Sequence, residues 1–389
     1  MVSQNIYHPF RYAASRPFAK RVASFWQSEV GLRMFPPAQE FERLQMMVMF
    51  GYNDALDRMP FDQRPSNMDL AFQEINRAVT YAAFNAHGRN IFHFDAHLLD
   101  MFSRTDVGGI PPEAVHLPLD VFYLHFGPQP NLELVPGKPV DGAYIYVQER
   151  AGAKHLHFDL TTADAEGHTS PSNECFITNP DVRYHLAIDL SQGADLENLV
   201  ADAINSEINA LRSPGIDTSS LEGLQEEVRN QGVDLRDQRQ SGAERRAEQL
   251  SERFPTFRAA MNLAINAIFY LSAYPDDFDE AWPANAPKKL TEKADKAQTA
   301  KEKRRAESKL LPMGFTRVKF VRSPGAPSRM EGEGSARAHW RRGHWRNQPY
   351  GEGRKLRKPV WIKPVIVNSD AFGEEMPGRI YDVQPKEEL

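Results

Sequence analysis

The chain of 389 residues is long enough for two domains or one large one, and its 41% hydrophobic and 25% charged residues are typical of a globular protein. Its one cysteine, Cys175, excludes an internal disulfide and a thiolate metal cluster, which suits a reducing cytosol. No apolar run reaches the roughly 20 residues of a membrane span, and the N-terminus lacks a signal-peptide pattern. We therefore expect a cytoplasmic protein.

The net charge of −5 conceals a segregation of charge along the chain. Between Lys288 and Lys363 stand 22 of the 47 basic residues and only 7 of the 52 acidic ones, an excess of 15 positive charges. The rest of the chain is acidic. A basic block on an acidic body is typical of a part that binds anions. It would equally suit the docking of an acidic partner protein.

The N-terminal part of the chain is predicted to be mostly helical. Apolar residues recur at helical spacing over 41–56 and over 68–86. His87-Gly88 ends the second helix, because glycine suits the left-handed conformation of a C-terminal cap. Residues 1–115 are therefore expected to form a helical layer.

Two groups of histidines offer partial metal sites. In a strand, His93, Asp95 and His97 would share one face, and in a helix the two histidines would lie one turn apart. His155 and His157 alternate along a predicted strand. Neither group supplies a full ligand set, so capping and hydrogen bonding are the preferred interpretation. No metal site and no cofactor are predicted.

From about residue 116 the pattern changes to short apolar segments separated by glycine and proline. Such segments are typical of a mainly antiparallel sheet. The predicted strands cover 121–126, 132–135, 142–148, 154–160 and 184–190. Further strands at 315–321 and 360–367 are too few to bury a core alone, so we expect them to complete the same sheet.

The predicted fold class is α+β: strands from about 118–190 and 315–367 form a mainly antiparallel sheet, packed by helices and covered by the N-terminal layer. Helices are expected at 195–211 and 254–274. The layer is followed by one discontinuous body, residues 116–370, and by an acidic tail, residues 371–389. Within the body the successive parts are the sheet (116–190), a helical insertion (195–285), a basic connector (286–310) and C-terminal strands (311–370). The connector is interpreted as a solvated helical stretch, with nucleic-acid contact as the alternative.

The densest group of charged, aromatic and imidazole side chains lies in the last of these parts. We predict a bulge or bend at Gly343, because one extra residue resets the alternation of a strand. The side chains then brought to one face are those of His339, Arg341, His344 and Arg346. The opposite face carries Trp340 and Trp345.

A cationic face that carries imidazoles suits a phosphate-bearing partner. The first hypothesis is a nucleic-acid-directed protein, more suited to RNA than to DNA, and a ribonuclease that needs no metal. Its catalytic residues would be His339, His344, Arg341 and Arg346, with the histidines as general base and general acid. Its nucleic-acid-binding residues would be Arg342, Lys355, Arg357, Lys358, Trp340, Trp345 and Tyr350.

Three other interpretations of this segment stay open. An ADP-ribosyltransferase-like enzyme would grip the pyrophosphate of NAD and orient the ribose with Glu374 or Glu375. A non-catalytic protein, such as an antitoxin-like or inhibitor subunit, would dock an acidic protein partner. The plainest interpretation is an exposed basic strand with inward tryptophans. The sequence contains no phosphate-binding loop, dinucleotide fingerprint or nucleophile elbow, which disfavours ATP-driven and acyl-transfer chemistry.

The segment from His339 to Arg346, followed by Tyr350-Gly351, Gly353-Arg354 and Trp361-Ile362-Lys363-Pro364, resembles a signature of uncharacterised bacterial proteins found on plasmids and phages. The resemblance covers about 30 residues. It implies no catalytic residues, because the group has no established activity. It implies a setting in mobile elements and in the conflict between phage and host.

Overall fold

The fold is given by a computed structural model, which describes residues 6–26, 40–57, 68–150, 152–163, 182–212, 244, 247–310, 313, 315–321, 329–330, 339–341, 343–351, 353 and 356–367. Several residues named above lie outside this range, namely Cys175, Arg342, Arg354, Lys355, Glu374, Glu375 and the acidic tail.

A seven-stranded mixed sheet forms the centre of the described structure, in the order β6-β5-β4-β3-β1-β8-β7. Its strands are β1 (Ile91–Phe94), β3 (Val121–Val135), β4 (Lys138–Arg150), β5 (Ala153–Thr162), β6 (Arg183–Asp189), β7 (Asp279–Ala281) and β8 (Val318–Val321). Strands β3 to β6 form an antiparallel meander. Strand β1 is parallel to both of its neighbours, β3 and β8.

Side chains of the central strands are apolar on both faces of this sheet. On β3, Val121 and Tyr123 belong to one core cluster, whereas Phe122 and Leu124 belong to another. A strand that is apolar on both sides must be covered on both sides, because its side chains alternate. Helices cover each face accordingly.

The first face is covered by helices from the N-terminal part of the chain. These are α1 (His8–Ser15), α2 (Pro17–Trp26), α3 (Glu40–Asp57) and α4 (Met68–Ala86). Helix α1 contacts the sheet through polar groups: Arg11 forms an ion pair with buried Asp141, and His8 Nδ1 lies 3.2 Å from the hydroxyl of Tyr144.

The second face is covered by α5 (Ala96–Ser103), α6 (Leu196–Arg212) and α7 (Phe254–Ala273). Helix α7 is buried along most of its length, from Phe257 to Leu271, which makes it the central element of this layer. Asp95 begins α5 as its N-cap and accepts a hydrogen bond from the amide of Leu98 at 2.7 Å.

Smaller elements complete the structure. Helices α8 (Lys288–Asp295) and α9 (Ala300–Leu310) lie between β7 and β8 in the chain. Two three-stranded sheets follow, in the orders β12-β11-β2 and β10-β13-β9. Their strands are β2 (Thr105–Asp106), β9 (Arg329–Met330), β10 (His339–Arg341), β11 (Gly343–Tyr350), β12 (Leu356–Ile362) and β13 (Val365–Val367).

The predicted α+β class and the N-terminal helices are confirmed. Two details of the strands are wrong. Residues 121–135 form one strand with register irregularities, since Gly127 takes a left-handed φ of 68° within it instead of ending it. Of the C-terminal strands that the structure describes, only β8 joins the main sheet, because β7 occupies its free edge and β9 to β13 pair elsewhere. The division of the chain at residue 115 stays a prediction.

Candidate functional site

Part of the basic C-terminal segment, strands β11 and β12, forms a β-hairpin. Strands β11 and β12 pair antiparallel from His344, opposite Ile362, to Tyr350, opposite Leu356. Directly opposed residues of such a pair share a face of the hairpin. We call this element the C-terminal hairpin.

Two stacked indoles attach the C-terminal hairpin to the body of the protein. The rings of Trp345 and Trp361 lie 6.1 Å apart and nearly parallel, at 22°. Trp361 is buried and contacts Phe102 of α5, and Trp345 contacts Phe269 of α7. The plainest interpretation of the sequence had the tryptophans pointing inward, and in the structure Trp345 packs against the core.

The side-chain amide of Asn266 on α7 forms hydrogen bonds at this contact. Asn266 is fully buried, and its Oδ1 accepts the indole N–H of Trp345 at 2.8 Å. Its Nδ2 donates to the carbonyls of Phe102, Thr105 and Asn262 at 3.0–3.3 Å. The indole of Trp361 donates to Thr105 Oγ1 at 3.2 Å. Each buried polar group therefore has a partner, as a stable apolar contact requires.

Gly343 lies where the chain enters the C-terminal hairpin. Its amide donates to the carbonyl of Arg104 at 3.0 Å. A Cβ at this position would lie 2.6 Å from Thr105 Oγ1 and 2.8 Å from Pro364 Cδ, so a larger residue does not fit. The backbone changes sheet here: β10 ends at Arg341 and pairs with β13, whereas β11 begins at Gly343 and pairs with β2. The predicted break at Gly343 therefore falls between two sheets.

The face of the C-terminal hairpin opposite the tryptophans points to solvent. His344 and Arg346 are exposed on it, and Tyr350 and Leu356 are 42% and 54% exposed. Arg346 donates to Gln348 Oε1 at 2.8 Å, and no hydrogen-bond partner of His344 is found among the described residues. We call His344, Arg346, Gln348, Tyr350 and Leu356 the outer face of the hairpin.

The other predicted site residues that the structure describes lie in strands β10 and β12. His339, Trp340 and Arg341 form β10, in the neighbouring small sheet. Arg357 and Lys358 are paired with Pro349 and Gln348 in β12. The structure thus brings His344 and Arg346 together on one exposed face, and it places His339 and Arg341 on a separate strand.

The first pair of histidines considered as metal ligands occupies two different environments. His93 Nδ1 lies 3.0 Å from the hydroxyl of Tyr7, and His97 is exposed on α5. Within the described part of the chain, no three His, Cys, Asp or Glu side chains are grouped to hold a metal ion.

Of the second pair of histidines, His157 borders a cavity of about 490 Å³ between α4 and the meander of strands β4 to β6. His157 Nδ1 lies 2.9 Å from Nε2 of His185, and its ring stacks on Tyr146 at 4.5 Å. Burial, together with His185, lowers the pKa of His157 to about 3. A neutral, stacked imidazole of this kind acts as a packing and hydrogen-bonding group.

Sequence reasoning missed Asn266 and Thr105 as parts of the site. The sequence places Asn266 in an apolar helix, where an unexplained amide is the signal that a buried partner exists. Thr105 carries no such signal, because an isolated threonine in a polar stretch is unremarkable.

Comparison with known proteins matches a protein family to a range that contains the candidate site. A family model described as AcrVA2-like, the anti-CRISPR type V subtype A2 family, matches residues 92–369, a range that includes α7 and the C-terminal hairpin. A solved structure described as "Crystal structure of AcrVA2" aligns over 92% of this chain and 95% of its own, at 12% identity and a TM-score of 0.35, which is too low to establish a shared fold. The curated proteins gave no match.

Proposed function

The chain belongs to the anti-CRISPR type V subtype A2 family, and on that premise we propose that it inhibits a type V CRISPR system by binding one of its protein components. Membership makes it a protein of the conflict between phages or other mobile elements and their hosts. The proposed inhibitor acts in the cytoplasm of the host cell. Among the described residues, no helix combines the length and apolar character that crossing a membrane requires.

The observation that carries the proposal is the composition of the outer face of the hairpin. Arginine and tyrosine are the residues that most often dominate the energy of protein interfaces. Here Arg346, Tyr350 and the exposed Leu356 lie on one hairpin. The stacked pair of partly buried Trp345 and buried Trp361 attaches that hairpin to the body, which lowers the entropy lost on binding.

Binding is favoured over catalysis by the surroundings of His344. A general base in an enzyme is ordinarily oriented by a hydrogen bond to a third group. His344 is exposed and has no such partner in the described parts of the chain. Its predicted counterpart His339 lies on β10, in another sheet. These features support an inhibitor better than the ribonuclease considered from the sequence.

The test is an interference assay in cells that carry a type V CRISPR system and receive a targeted plasmid. Expression of the chain should restore transformation. The triple variant His344→Ala/Arg346→Ala/Tyr350→Ala should bind its target about 100-fold more weakly, because the lost Arg and Tyr anchors, whose costs do not add in full, together remove about 3 kcal/mol. Transformation should then fall to the level without inhibitor.

The matched control removes the same residue types elsewhere: His97→Ala/Arg212→Ala/Tyr274→Ala, all exposed on other elements. This control should inhibit like the unmodified chain. The single variant His344→Ala should retain most inhibition. Complete loss of inhibition in that single variant, with the protein folded, would instead support the catalytic histidine of the ribonuclease hypothesis.

A further inference from the structure

Helices α8 and α9 carry a second charged surface, distinct from the C-terminal hairpin. Each helix buries a narrow strip of small or apolar side chains, Thr291 and Ala294 on α8 and Ala306 and Leu310 on α9. The side of each helix opposite these residues is basic and exposed. Its residues are Lys289, Lys293, Lys296, Lys301, Arg304 and Arg305. We call these six the cationic face.

Positive charge is in surplus on this helical pair. Residues 288–310 contain nine Lys or Arg and four Asp or Glu, a net charge of +5. Two of the acidic residues, Asp295 and Glu307, form ion pairs with Arg317, which precedes β8. The distances to Arg317 are 2.6 Å from Asp295 and 3.6 Å from Glu307. Asp295 also accepts the indole N–H of Trp282 at 3.0 Å.

The other two acids are also engaged. Glu302 accepts backbone N–H groups of Gln298 and Thr299 at the start of α9, and Thr299 Oγ1 accepts the amide of Glu302, which forms a capping box. In the described part of the chain Glu292 pairs only with Lys296, at 3.5 Å and with both side chains well exposed, where such pairs contribute little. Among the described residues, the five other basic side chains of the cationic face have no acidic partner.

The residue types of the cationic face suit a nucleic acid better than a protein partner. Protein interfaces are depleted in lysine and need apolar or aromatic anchors. The exposed large hydrophobic side chains of the described chain include none within residues 288–310. Long, flexible lysines without anchors suit the repeated charges of a phosphate backbone, which they contact without reading bases.

We propose that the cationic face of α8 and α9 binds the phosphate backbone of a nucleic acid. The surface lies outside the C-terminal hairpin, so this inference does not rest on the proposed inhibition of a CRISPR component. Binding would be independent of sequence and sensitive to salt. It would give the protein a point of attachment separate from the outer face of the hairpin.

The experiment measures binding of the full chain to a fluorescein-labelled single-stranded RNA, a duplex DNA and a polyglutamate peptide over a series of salt concentrations. The test variant is Lys301→Gln/Arg304→Gln/Arg305→Gln, which keeps good helix formers at exposed positions. For single strands the slope of log K against log salt is about −0.7 per phosphate contact, so three lost contacts should reduce its magnitude by about 2.

The control is the charge-conserving variant Lys301→Arg/Arg304→Lys/Arg305→Lys, which should bind nucleic acid like the unmodified chain. Loss of binding in the glutamine variant alone supports the proposal, and comparison of RNA with DNA identifies the preferred backbone. An unchanged salt slope in the glutamine variant overturns it. So does tighter binding of polyglutamate than of either nucleic acid. Inhibition in cells is scored separately, so failure of one proposal does not decide the other.

Discussion

Asn266 is the single residue on which the attachment of the C-terminal hairpin depends most. Its amide joins an indole 79 residues later in the chain to carbonyls more than 150 residues earlier. An apolar helix over 254–274 could be predicted from the sequence, and α7 confirms it. The partner of a buried amide could not be predicted, because such a partner follows from packing between segments far apart in the sequence.

His125 is a second residue of interest, because its environment makes the stability of the protein depend on pH. It is 2% exposed, its ring lies 4.7 Å from that of Tyr7 and 4.9 Å from that of His93, and its Nδ1 has no hydrogen-bond partner among the described groups. Burial lowers the pKa of His125 to about 3, assisted by His93 and Arg11 and opposed by Asp141. The folded protein therefore holds this imidazole neutral.

The lowered pKa predicts a loss of stability in acid. Above pH 6.5, the ordinary value, the imidazole is neutral in both folded and unfolded chains. As the pH falls towards about 3, only the unfolded chain gains the proton. Between pH 8 and pH 5 this should cost about 2 kcal/mol of the free energy of unfolding. His125→Phe should remove that part of the pH dependence in urea denaturation; an unchanged pH profile would show that His125 is not the group responsible.

At the scale of elements, sequence patterns predicted helices better than strand partners. The helix over 68–86 has the predicted bounds, because apolar spacing and the following glycine are local signals. Strand β1 could not be identified, since its four residues lie between two helices and acquire their role only from the parallel partners β3 and β8. The predicted strand over 360–367 is divided in two at Lys363-Pro364, where proline interrupts pairing.

The junction at Gly343 gives a prediction at this scale. Gly343→Ala would place a Cβ 2.6 Å from Thr105 Oγ1 and 3.0 Å from the carbonyl of Ile362. Overpacking of this kind costs about 1–3 kcal/mol, and it should loosen the C-terminal hairpin from β2. Urea denaturation measures the cost, and quenching of tryptophan fluorescence by acrylamide reports the exposure of Trp345 and Trp361.

Gly193→Ala is the matched control for that substitution, because nothing lies within 4 Å of the Cβ that it would add. It should change the free energy of unfolding by less than about 0.5 kcal/mol. Equal stability and equal quenching in the two variants would mean that Gly343 does not hold the hairpin against β2.

For the whole molecule, the structure separates two surfaces that the sequence joins into one basic block. The composition from Lys288 to Lys363 indicated a single anion-binding part. In the structure, the Lys-rich cationic face lies on α8 and α9, and the outer face of the hairpin combines Arg346 with Tyr350 and Leu356. Their different chemistry supports two different partners, a nucleic acid and a protein. Charge counting alone could not make this distinction, because it ignores which side chains share a face.

The central claim is inhibition by binding, and a titration tests it most directly. Purified chain is added in increasing amounts to a fixed concentration of type V CRISPR effector loaded with guide RNA, and cleavage of target DNA is measured. We predict that inhibition is complete near an equimolar ratio and that the triple variant of the outer face needs about 100-fold more protein, as expected when interface anchors are lost. Complete inhibition at amounts far below equimolar would require turnover and would contradict the account, as would no inhibition at any amount.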